Sequence, residues 1–133
     1  MYQVRKAPYG VHLSFTETVS SDEMRRCTHE ADALLASIHG PFGVLVDERQ
    51  LRPGGIPSGS EAEALLVGLQ SRYKTHGMQR SCVILQSASV TMQMERKAHD
   101  SGIANVERYI NAKEETHWET KALAWIEHGI DPD

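Results

Sequence analysis

The sequence predicts an α/β fold: a mixed, mostly parallel five-stranded sheet with four helices, ordered β-β-α-β-α-β-α-β-α. Three observations carry this. Short apolar runs alternate along the chain with segments whose apolar residues recur at helical spacing. The inner runs Val44-Leu45-Val46 and Cys82-Val83-Ile84-Leu85 do not alternate polar with apolar, the pattern of strands covered on both faces. The first two extended segments are joined only by Pro8-Tyr9-Gly10, which makes them an antiparallel pair near a sheet edge.

The first two strands cover 3–6 and 11–16. In the second, Val11, Leu13 and Phe15 point one way and His12, Ser14 and Thr16 the other, as a half-buried strand requires. The first helix opens at Ser20, whose spacing to Glu23 is that of a capping box. Met24, Cys27, Ala31, Leu34, Leu35 and Ile38 form its apolar stripe, and Gly40-Pro41 stops it. A strand over 42–46 follows, closed by Asp47. The second helix begins at Ser60 with Glu63 as another capping box, carries Ala62, Leu65, Leu66, Leu69 and Tyr73, and ends at Gly77. A strand over 82–85 led by Arg80 comes next. A helix over 89–99 turns Val90, Met94 and Ala98 inward and stops at Gly102. The last strand is 106–110. The last helix is 117–128, with Trp118, Ala122, Trp125 and Ile126 inward; Thr116 with Glu119 caps it, or Asn111 with Glu114 starts it earlier.

The chain has 133 residues, 40% hydrophobic and 24% charged, which fits one domain over 1–133 with a core that needs no staples. A formal net charge of −4 argues against nucleic acid, which calls for a clustered basic face. No apolar stretch has membrane-spanning length, and the first residues lack the apolar core of a secretory signal, so the expected compartment is the cytoplasm. Cys27 and Cys82 sit apart, one on a helical stripe and one in a strand, and read as buried free thiols. An open sheet has exposed edges, and this motivates a homodimer.

The stretch most suggestive of function is 48–59, ERQLRPGGIPSG, a long loop between a strand's carboxyl end and a helix. Asp47, Arg49 and Arg52 around it are candidates for holding an anionic ligand or an acidic group of a partner, against the plainer reading of a solvated loop with an internal ion pair. Ser58 and Ser60 precede the second helix, where a phosphate would meet free N–H groups, although serine there is also an ordinary cap. The seven histidines lack metal-ligand spacing: Cys27 and His29 point to different helix faces, and His76, His117 and His128 sit near helix ends. No metal site and no cofactor is expected. The serine-hydrolase elbow is absent, and Gly54-Gly55 is too short for a nucleotide fingerprint.

The element order, the stretch Arg80-Ser81-Cys82-Val83-Ile84-Leu85, the closing strand 106–110 and Ala122-Leu123-Ala124-Trp125-Ile126 resemble the SpoIIAA-like (STAS/SEC14-type) family of small bacterial proteins. In that family the last helix carries an Ala-rich stretch and Trp-Leu; here Ile126 stands for the Leu. The better-known relatives, the anti-sigma-factor antagonists, dock on a kinase and are switched by phosphorylation of a serine in an Asp-Ser-Ser-Gly-like motif. The corresponding place reads Pro57-Ser58-Gly59-Ser60, without the aspartate, so Ser58 and Ser60 match by position only. The resemblance implies a non-catalytic regulatory or protein-interaction module, acting on an unknown protein partner through 48–59 and the start of the second helix. Its SEC14 side implies the alternative, a binder of a small apolar, lipid-like molecule. An enzyme using Asp47, Arg49 and a histidine is the third reading.

Overall fold

A computed structural model describes residues 1–86, 99 and 102–132. Its strands are β1 (Tyr2–Ala7), β2 (Gly10–Glu17), β3 (Phe42–Leu51), β4 (Met78–Leu85) and β5 (Glu107–Asn111); its helices are α1 (Ser21–Leu35), α2 (Glu61–Thr75) and α3 (Trp118–His128). The five strands form one sheet in sequence order, β1 antiparallel to β2 and every other pair parallel. Three helices are thus seen among the described residues where four were expected; the helix over 89–99, with Val90 and Met94, lies outside them apart from His99.

The non-alternating strands are covered on both sides, as their composition requires. On the first face Leu13, Phe15, Val44, Val46, Val83 and Leu85 meet Met24, Cys27 and Ala31 of α1 and Leu66, Leu69 and Tyr73 of α2. The Tyr73 hydroxyl donates to the Ala31 carbonyl oxygen at 2.6 Å, so the buried phenol is satisfied and ties α2 to α1. On the second face Leu45, Cys82, Ile84 and Ile110 meet Ala122, Trp125 and Ile126 of α3.

Two sequence details let α3 sit close. A Cβ on Gly43 would lie 2.3 Å from Ile126 Cγ2, so only glycine admits the helix at this depth. Trp125 is buried as its stripe predicts; its indole N–H donates to the Ser81 carbonyl oxygen at 2.9 Å, and the Arg108 guanidinium stacks on its ring at 4.2 Å. Gly129, in the left-handed region at φ 69°, ends α3, and Arg80 Nε donates to the Ile126 carbonyl oxygen at 3.1 Å.

Helix starts follow the sequence in part. Ser20 and Glu23 form the full reciprocal box. Ser60 Oγ accepts the Glu63 N–H, but Glu63 Oε1 accepts the N–H of Gly59, because Ser60 N–H is turned back to the Pro57 carbonyl. At α3 neither predicted cap forms: His117 is the cap residue without a side-chain bond, while Asn111 organises the turn ahead of it by accepting the Lys113 N–H.

Candidate functional site

The largest departure from the sequence reading is at the carboxyl end of β3. Residues 48–51, expected in the loop, continue the strand to Leu51. Their polarity hid them, because a bulge interrupts the pattern. Ser14 pairs with Asp47 and Thr16 with Gln50, so Glu48 and Arg49 together oppose Phe15. The extra residue re-aims the chain and leaves Asp47 and Gln50 beside Ser14 and Thr16 around a small polar cleft of about 170 Å³.

The loop proper begins at Arg52, and its near side is fastened. Arg52 N–H donates to the Glu17 carbonyl oxygen at 2.9 Å, and Val19 N–H to that of Gly55 at 2.9 Å. Ile56 is buried as an anchor. Gly55 lies so close that a Cβ there would come within 2.5 Å of the Glu17 carbonyl oxygen. Arg52, Pro53, Gly54, Pro57, Ser58 and Gly59 remain exposed. The outcome is a held loop with an open tip.

The candidate residues fall in different places. Asp47 and Arg49 belong to the second sheet face: Arg49 Nε and Nη2 each donate to an Asp47 oxygen at 2.9 Å, and the Arg49 N–H donates to Oδ1 at 3.0 Å. Burial works against the Asp47 carboxylate, but these bonds and the arginine charge outweigh it and hold its carboxyl below the usual range. The Arg49 guanidinium also stacks on Trp118 at 4.2 Å, which keeps that half-buried ring at the entry of α3. Arg52 instead pairs with exposed Glu17 at 2.6 Å. Ser60 is the helix cap, and Ser58 is an exposed loop serine.

Sequence reasoning did not connect Asp47 and Arg49 to His12. The signal was present in the alternation of the second strand, but it needed the strand order to be read. His12 is level with Arg5 on one side and Leu45 on the other, and Ser14 is level with Asp47. Beyond α3's cover, this half of the second face is polar. His12 is half-buried; burial first and then the Arg5 charge push its imidazole below the ordinary value, Arg49 adds to this, and Asp47 and Glu119 oppose it.

Cys27 and Cys82 are fully buried, and burial pushes each thiol up to about 12, so neither is a thiolate near neutrality. No group of three or more metal-ligating side chains occurs among the described residues. The apolar cavity on the first face, lined by Leu13, Val46, Leu66, Gln70 and Ile103 among others, holds about 20 Å³. That is room for about one water; sites for drug-sized ligands run to roughly 300–1,000 Å³. Among the described residues no helix is long and apolar enough to cross a membrane. Compared with known proteins, the chain matches no family model and no curated sequence.

Proposed function

We propose that this protein is a non-catalytic regulatory or protein-interaction module of the SpoIIAA-like kind, working through the loop after β3 and the start of α2. The observation that carries the reading is the fastened loop. Two backbone hydrogen bonds and the buried Ile56 hold it against the β2–α1 turn, while its tip stays open. A segment already ordered before contact loses less entropy on docking, so affinity need not be spent on folding it. Ser58 is the serine of this surface still open to modification, since the Ser60 hydroxyl is engaged as a cap.

The test is affinity capture with the parent and with Arg52→Ala/Ser58→Asp, each checked for melting temperature. The expected result is an unchanged melt and loss of the captured partner. A partner retained equally by both proteins places the working surface elsewhere.

A further inference from the structure

The buried stripe of α2 carries a polar side chain at its centre. Leu66, Leu69, Gln70 and Tyr73 share one helical face and are all buried, Gln70 at 9% exposure. Gln70 Oε1 is sealed from solvent and has no hydrogen-bond partner among the described residues. Buried polar atoms of this kind are rare in native proteins and call for a reason.

Gln70 lines the cavity on the first face, and two other polar side chains line it with Gln70: Ser81 of β4 and Glu107 of β5. Both are buried. The Ser81 hydroxyl donates to Glu107 Oε1 at 2.9 Å, and the Tyr109 hydroxyl donates to Oε2 at 2.6 Å. The Ser81 proton is therefore already used on Glu107, and a carboxylate only accepts. What Ser81, Glu107 and Gln70 Oε1 turn to the cavity is lone pairs. Acceptors cannot satisfy one another; they call for an occupant that donates twice. The space sets its size. The cavity holds about 20 Å³, above the roughly 10–15 Å³ that one water needs and short of room for two.

We propose that this cavity is an internal water site, in which one water donates to Gln70 Oε1 and to the Ser81–Glu107 pair and so bridges α2 to β4 and β5. The proposal is independent of the loop reading: none of the three residues lies in the loop or at the start of α2. The water gives α2 a polar tie to the sheet. The helix's bonds from Tyr73 to Ala31, from Arg72 to Asp32 and from Arg25 to Glu61 all join it to α1. Toward the sheet, Leu66 and Leu69 pack by apolar contact, which tolerates sliding better than a hydrogen-bonded bridge does.

The test is a crystal structure of the parent at a resolution that orders internal waters, joined to oxygen-17 relaxation dispersion on the parent and on Gln70→Met in solution. Methionine keeps an unbranched side chain of similar length and lacks the amide. The expected density is a single water within hydrogen-bond distance of Gln70 Oε1 and of a Ser81 or Glu107 oxygen. In solution the variant should hold one long-lived water fewer than the parent. If the variant does not fold, the crystal structure of the parent decides alone. A Gln70 amide bonded straight to a protein group, a water that touches Gln70 only, no density beside Oε1, or equal numbers of long-lived waters in the two folded proteins would each overturn the proposal.

Discussion

Gly43→Ala tests whether α3 is seated on the sheet as described. The new Cβ would lie 2.3 Å from Ile126 Cγ2 and 3.2 Å from the Arg80 carbonyl oxygen. Ile126 Cγ2 is a branch methyl on a buried helix residue, so it cannot swing away as the end of a long side chain would. Nor is Gly43 among the glycines at positive φ, so backbone strain is no part of the cost. Overpacking of this kind costs about 1–3 kcal/mol, and the reduced freedom of the unfolded chain returns about 0.4–1 kcal/mol. The net expectation is a loss centred on about 1.3 kcal/mol and reaching at most about 2.6 kcal/mol, with about 4 °C in Tm for each kcal/mol in a domain of this size. Ile126→Ala alone should cost about 2–5 kcal/mol. In the double variant the clash is gone, so the combined loss should fall short of the sum by at least about 1 kcal/mol. Urea unfolding of the four proteins gives this coupling directly. A Gly43→Ala protein as stable as the parent, with strictly additive losses, would refute the close seating of α3.

Three other outcomes follow from contacts described above. Arg49→Ala should lower the melting temperature measurably, since it frees both Asp47 and Trp118, whereas Arg52→Ala should stay within about 0.5 kcal/mol of the parent; equal effects would show that Arg49 is not tied into the second face. Both cysteines should resist a thiol reagent in the folded protein and react fully in denaturant; fast labelling of the native protein would contradict their burial. The depressed Asp47 pKa makes a contribution to stability that is present above its ordinary 3.8 and is lost as the pH falls through the folded value. Asp47→Asn should therefore flatten the acid side of the stability profile, as read by thermal melts across pH, and an unchanged profile would remove the pair from the account.

Much of the fold was legible because single residues carried strong local signals. The Ser20–Glu23 box forms, Gly77 stands at positive φ where a stop was expected, and Val44 to Val46 are covered on both faces. What failed were places where a tertiary contact decides. Polar residues 48–51 read as loop because the partner that makes them a strand, β2, lies far off in sequence, and the bulge breaks the period-two pattern. The caps of α3 were misplaced because its start is held by Trp118 under Arg49 rather than by a capping side chain. The candidate site was half legible. Asp47 and Arg49 were visible as a pair, but Arg5 and His12 join them only through strand order, which no local pattern encodes.

One backbone feature joins the loop to the face. Glu17, at the end of β2, has φ 59°, the left-handed region that a side chain such as glutamate rarely enters. Such a conformation persists only where its surroundings over-determine it. Here the Glu17 carbonyl oxygen accepts the Arg52 N–H, its carboxylate pairs with the Arg52 guanidinium, and Gly55 packs against its backbone. The same short length of β3 supplies Asp47 and Arg49 to the second face, makes the bulge, and then delivers Arg52 to this turn. A register slip of one residue in β3 would disturb all three. Deleting Glu48 removes the bulge, and with it the step that sets both surfaces; the expected result is a folded first-face core, still reported by Tyr73 and the α1–α2 contact, with the His12 resonances shifted and Arg52 released from Glu17. A deletion protein whose His12 and loop resonances match the parent would show that the two surfaces do not depend on the bulge.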